Sequence, residues 1–487
     1  MTRNWFGPAA VACAAFAVLL AFAGGYGPHR DEFYFVVAGG HPQLGYPDQP
    51  AIVPLVLRAM WALGGGSLYV VRLPSAIAGA VVTLLAAAIA REAGGRRTAQ
   101  WVSAAAVASS AIVLVTGHFV TTTTFDVVSS TLVVFFLVRA LRRESPWPLL
   151  WAGIATGLGF EAKPQVVAVA AALLLGIAVF GPRWVFRRWQ LWVGLAVAVA
   201  LAAPYLVWQA AHGFPQLSVG AAQVGAANGG RIGFIPFELV MVSPVLAPLW
   251  IPGVVTPWRR ADERMLRAVP FAYLLLFVVY FATDAKAYYL ASLYPALLAI
   301  GALTIERWLA HRGWWRRWLL GAAMVSAAAV NLVIALPLLP VSALPGSFVA
   351  GVNSDVKETV GWPQFTGQVE QVVRALPANE RADAVIYTEN YGEASALTLY
   401  GRGLPPVYSG HNGYADWGPP PDSKQVSVVV GFGPNEQFST RGTGCTLETK
   451  ITNPWGLDNQ EQGAPVSVCT GLRNPWSKIW PGLVHYN

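Results

Sequence analysis

The chain has 487 residues, 55% hydrophobic and only 12% charged, with a formal net charge of +8. Together with a mean hydropathy of +0.48, this excludes an ordinary soluble enzyme and reads as a polytopic membrane protein. The positive charge is not gathered into one basic patch; arginines fall in short clusters between apolar runs, which argues for membrane topology and against nucleic acid as a partner.

The N-terminal run MTRNWFGPAAVACAAFAVLLAFAGG resembles a signal peptide, but it has no convincing small-residue cleavage site and is expected to stay as a first helix. Stretches near the length that crosses about 30 Å of hydrocarbon number eleven. They centre on residues 8–25, 68–90, 99–117, 125–141, 147–162, 165–181, 190–208, 234–253, 268–283, 288–304 and 318–338. With a cytoplasmic N-terminus every second junction should be basic. These junctions carry Arg91, Arg96 and Arg97; Arg142 and Arg143; Arg183, Arg187 and Arg188; Arg259, Arg260, Arg264 and Arg267; and Arg307, Arg312, Arg316 and Arg317.

An odd number of spans sends everything after about residue 340 outside. The expected organisation is a transmembrane domain over 1–340, a linker within 341–353, and a small extracytoplasmic α/β domain over 341–487. In that tail 384–389, 406–409, 426–432 and 464–469 read as strands and 363–376 and 392–400 as helices. Cys445 and Cys469 lie there and Cys13 in the first span. An oxidising exterior permits a Cys445 to Cys469 disulfide; two buried free thiols is the other reading.

The polar residues collect on the outer side of this topology. Asp31 and Glu32 follow the first span, and Asp48 lies with Tyr46 in GYPDQP. His118 and Asp126 flank the next outer turn, Lys163 the third, His212 and Arg231 the fourth, and Asp284 and Lys286 the fifth. Some have plain structural readings. Asp31 can cap a helix running from Phe33 to Ala38, Lys163 can snorkel, and Arg231 can mark a loop end. Tyr288, Tyr289 and Tyr294 suit an interfacial belt or a sugar or lipid groove. Asp126 sits inside an apolar helix, where an unpaired charge costs about 2.5 to 3.5 kcal/mol. Carboxylates supply a general base and Lys163, Arg231 and Lys286 an anion site. No phosphate loop, dinucleotide fingerprint or H-E-x-x-H is present. The histidines lack ligand spacing, so no cofactor is expected beyond an open question of a divalent metal.

The pattern resembles the GT-C glycosyltransferases of the protein O-mannosyltransferase type (family 39), which include the lipid A aminoarabinose transferase. The residues that carry the resemblance are Asp31 and Glu32, the loop Gly45 to Pro50, Asp126, Lys163, the run Pro204 to Pro215, and K-A-Y-Y-L-x-x-x-Y-P at Lys286 to Pro295. The tail segments ENYGEASAL, SGHNGYADWGPP and RNPWSKIWPGLVHY also look like those of bacterial members. The expected fold is a GT-C membrane protein of about eleven transmembrane helices; the resemblance implies a polyprenyl-phosphate-linked sugar donor and an external active site, and attack from the face opposite the phosphate predicts inversion. The resemblance further implies Asp31 as base with Glu32 beside it, and Asp126 as a second acid. Lys163, Arg231 and Lys286 would stand near the lipid phosphate, with Asp48, Tyr46, Tyr288 and Tyr289 contacting substrate. The acceptor would be a cell-envelope glycan, a lipid or a protein at the bilayer surface. One departure bears on substrate: Gln49 follows Asp48 where the aminoarabinose transferase has a Glu-Lys pair. A lipid-linked sugar flippase or secondary transporter is the competing reading, which repeated halves would favour; none is seen.

Overall fold

The computed structural model describes residues 5–486 except 225–229, 312, 433–437, 439 and 440, so Arg312 of the last basic junction lies outside the described residues. The chain divides into two compact units, one of residues 1–24, 69–210 and 221–336, the other of residues 25–68, 211–220 and 337–487. The second unit thus takes in two early segments that a division at residue 340 leaves with the spans.

The first unit is helical. Among the described residues five helices are long and apolar enough to cross a membrane: Leu68–Glu92, Thr122–Arg143, Trp189–Ala211, Ala287–Ala310 and Trp314–Ala335. The expected spans at 99–117 and 234–253 are each a bent pair. Arg97–Ala108 and Ala111–His118 meet at 58°, and Gly230–Val242 and Pro244–Arg259 at 74°. The second break falls where Pro244 removes a backbone donor and Ser243 takes φ 117°. The expected spans at 8–25, 147–162, 165–181 and 268–283 are helices of 17, 14, 15 and 15 residues. Ala287–Ala310 is 78% buried and Trp314–Ala335 only 22%, which makes the first a core element of the unit and the second a peripheral one. Helices Ala247–Arg259 and Tyr294–Ala310 approach so closely that a Cβ on Gly301 would lie 1.6 Å from the Leu249 carbonyl oxygen. His118 is no loose ligand, for its Nε2 lies 3.3 Å from the guanidinium of the buried Arg72, which also donates to the Ala23 carbonyl.

The second unit is built on a five-stranded sheet: β1 (Ala384–Thr388), β2 (Val407–Ser409), β3 (Val426–Val430), β4 (Gly442–Lys450) and β5 (Pro465–Leu472). The order is β2-β1-β3-β5-β4, parallel from β2 to β3 and antiparallel from β3 to β4. VSVVV of β3 is buried at every position, as a central strand requires. Helices Trp362–Ala375 and Tyr391–Tyr400 stand close to the expected bounds. Strand β4 was not expected, since it is an exposed edge interrupted by Gly444 at φ 61°. Cys445 and Cys469 face each other across β4 and β5 and are joined by a disulfide, while Cys13 is free.

Two early helices belong to this unit, Arg30–Ala38 and Ile52–Gly64, the latter in a stretch read as loop. Phe33 anchors the first, edge-on to Trp362 at 5.6 Å and to Tyr400 at 4.9 Å between ring centroids.

Candidate active site

The helix that begins at Arg30 is capped, but not by Asp31. His29 is the N-cap, its Nδ1 accepting the Asp31 backbone N–H at 3.2 Å while the Glu32 carboxylate accepts the His29 N–H at 2.8 Å. Glu32 is accordingly buried at 1% exposure and its carboxylate is engaged in the cap. The Asp31 side chain is 30% exposed, and its Oδ1 accepts the Tyr391 hydroxyl at 2.8 Å. Arg30 Nε stands 4.0 Å from Oδ1 and His29 Nδ1 3.8 Å from Oδ2.

Asp48 is held in the same unit. Its Oδ1 accepts the Tyr34 hydroxyl at 2.8 Å, and Asn412 Nδ2 reaches Oδ2 at 3.5 Å. The Gly413 N–H donates to the Tyr34 oxygen at 3.0 Å, an approach that a Cβ on Gly413, 2.7 Å from that oxygen, would obstruct. Burial pushes the Asp48 carboxyl up to about 7; the Tyr34 hydrogen bond opposes this and the charges of Asp31 and Asp416 add to it. The Tyr46 hydroxyl donates to the carbonyls of Ala38 at 2.7 Å and His41 at 3.1 Å, with the residue 1% exposed. That geometry gives Tyr46 a part in shaping the loop.

The first unit holds the other candidates. Asp126, 1% exposed on helix Thr122–Arg143, accepts from Ser130 one turn on at 3.3 Å and from Ser292. Lys163 donates to Thr123 Oγ1 at 2.9 Å and lies 5.0 Å from the ring centroids of both Tyr288 and Tyr289. Lys286 Nζ is 6.0 Å from the Tyr288 ring. Arg231 is exposed, and its NH2 donates to the Ala282 carbonyl at 3.0 Å. The run KAYYLASLYP therefore packs Tyr288 and Tyr289 on Lys163 and lends its serine to Asp126. Sequence reasoning missed Ser292, Thr123, Tyr34, Tyr391, Asn412 and Gly413, although each lies in or beside a motif already singled out. Among the described residues no group of three or more His, Cys, Asp or Glu side chains is placed to hold a metal ion.

The helical unit thus carries a buried carboxylate, Asp126, and a lysine, Lys163, over two tyrosine rings, and the α/β unit carries two tyrosine-held carboxylates, Asp31 and Asp48. Residues 48–208 match the family of dolichyl-phosphate-mannose-protein mannosyltransferases. The structure is similar to that of ArnT from Cupriavidus metallidurans bound to undecaprenyl phosphate, over 96% of this chain and 98% of that one, at 17% identity and a TM-score of 0.59. It is also similar to the arabinofuranosyltransferase AftD from mycobacteria, over 97% of this chain and 42% of that one, at 14% identity and a TM-score of 0.53. No curated protein sequence matches the chain. The fold is the one these membrane glycosyltransferase structures share, the GT-C fold. The flippase or transporter reading is not favoured by these matches.

Proposed function

We propose that the chain moves a sugar from a polyprenyl-phosphate donor to an acceptor hydroxyl at the extracytoplasmic face, with inversion at the anomeric carbon. The observation that carries this reading is the division of the acidic pair: Glu32 is engaged in a helix cap, while Asp31 keeps a partly exposed carboxylate fixed by Tyr391. The acceptor oxygen forms its bond to the anomeric carbon as the bond from that carbon to the phosphate oxygen breaks. The electron pair leaves on the phosphate and the proton goes to Asp31. A phosphate leaving group needs cations and no general acid, unlike the acid-assisted departure in a glycoside hydrolase. Lys163, with Lys286 and Arg231, is assigned to that phosphate, and the tyrosines around Lys163 to the first part of its lipid or sugar. Asp126 is assigned as the second essential acid and Asp48 to the acceptor side, with the buried Tyr46 shaping the loop that carries it.

ArnT bound to undecaprenyl phosphate supports the choice of donor. The alternating arginine clusters support a cytoplasmic N-terminus, and the Cys445 to Cys469 disulfide supports an oxidising compartment for the α/β unit. The acceptor is a cell-envelope glycan, a lipid or a protein. Mass spectrometry of envelope glycans and polyprenyl-phosphate sugars in a strain lacking the chain tests this. Accumulation of one donor with loss of one decoration is expected; unchanged donors and decorations would contradict it.

A further inference from the structure

Tyr391 opens the helix Tyr391–Tyr400, and its backbone is fixed by a capping box in which the Glu393 N–H donates to Asn390 Oδ1 at 2.9 Å and the Asn390 N–H to Glu393 Oε2 at 3.4 Å. The ring is fixed as well. It lies 4.6 Å from Tyr34 and 4.7 Å from His411 between centroids, with the Arg30 guanidinium 5.7 Å from its own centroid. From this held ring the hydroxyl reaches Asp31, 360 positions earlier in the chain. The helix Arg30–Ala38 already has its cap from His29 and Glu32, so this bond is not needed to start it.

We propose that Tyr391 is a positioning residue for Asp31, so that the C-terminal part of the chain completes the base of the transfer reaction. The proposal rests on the reading of Asp31 as that base. A fixed O–H donor restricts the direction of the carboxylate, and a misplaced base is costly to rate. Tyr34 does the same for Asp48, and because the two tyrosine rings are in contact the carboxylates at 31 and 48 are held by one aromatic pair. The titratable and charged groups that bear on Asp31 include His29 and Arg30 beside it, Tyr391 from the facing helix, and the carboxylate of Asp48. Glu358 and Glu461 act on the Arg30 guanidinium behind them.

The test uses the full-length protein purified in detergent and labelled with a water-soluble carbodiimide and glycine ethyl ester across pH. Peptide mass spectrometry reads the extent of labelling at Asp31. The reagent attacks the protonated carboxyl, and loss of a donor to the carboxylate favours the protonated form. In Tyr391→Phe, which keeps the ring, the labelling midpoint of Asp31 is expected to move to higher pH in a protein that still unfolds cooperatively. Transfer in membranes of the complemented deletion strain is expected to fall about ten- to a hundredfold, with its acidic limb displaced to higher pH. Labelling and transfer like the parent protein's, alongside an inactive Asp31→Asn, would overturn the positioning role. Full transfer by Asp31→Asn would overturn the reading beneath it, and the proposal with it.

Discussion

The carboxylate of Glu32 accepts the backbone N–H of His29 at 2.8 Å, whereas that of its neighbour Asp31 accepts the side-chain hydroxyl of Tyr391 at the same distance. Two adjacent acids thus have different work. Glu32→Ala removes one arm of a capping box and is expected to lower stability by about 1 kcal/mol. Glu32→Gln, which can still accept the N–H, is expected to recover most of that loss. Thermal unfolding of the purified protein checks the order.

Asp48 titrates at about 7 in the fold against an ordinary carboxyl value of 3.8. The folded protein therefore holds a proton there that the unfolded chain has already released. Folding is favoured by this group at low pH, and the contribution declines as pH rises from about 4 to about 7. Asp48→Asn keeps an acceptor for Tyr34 and carries no charge, so its melting temperature is expected to lose that declining component. Melting curves of both proteins from pH 4 to pH 8 decide it; parallel pH dependences would contradict the assignment.

Much of this was legible in the sequence because it is periodic or local. Each of the eleven hydrophobic stretches falls on helix, and β1, β2, β3 and β5 carry the apolar runs that marked them. Strand β4 escaped because GTGCTLETK is polar, exposed and broken by glycine, as an edge strand can be. Helix Ile52–Gly64 escaped because a short amphipathic helix in a loop-rich stretch has no span-like signal. Asp31, Asp126 and Lys163 stood out singly as charges that apolar surroundings make costly. Their partners did not: Tyr391 is an ordinary aromatic until the fold brings it back across 360 positions, and Ser292 lies 166 positions from Asp126.

Lys163 sits over two tyrosine rings and donates to Thr123. Lys163→Gln is expected to weaken binding of undecaprenyl phosphate, used as a probe of the lipid phosphate, by about ten- to a hundredfold through loss of a charged hydrogen bond of about 1.5 to 3 kcal/mol. Tyr288→Leu removes one cation–π contact of about 0.5 to 1 kcal/mol and is expected to cost only a few-fold. Native mass spectrometry of the purified protein with the lipid gives both values.

The Cys445 to Cys469 disulfide closes a separation of 24 residues. On chain-entropy grounds such a closure contributes roughly 3 kcal/mol. Cys445→Ser combined with Cys469→Ser is expected to lower the unfolding temperature of the sheet-bearing unit while leaving the helical unit's transition in place. Calorimetry with and without reductant resolves the two.

The central claim is that Asp31 takes the acceptor's proton. Its most direct test is sugar transfer by Asp31→Asn in membranes of the deletion strain, with insertion and melting temperature verified on the same preparation. The variant keeps an acceptor for Tyr391 and removes only the basic carboxylate. Loss of transfer by at least about a hundredfold, as removal of a general base costs, is the expected result; transfer at the parent rate by a correctly folded variant would contradict the account.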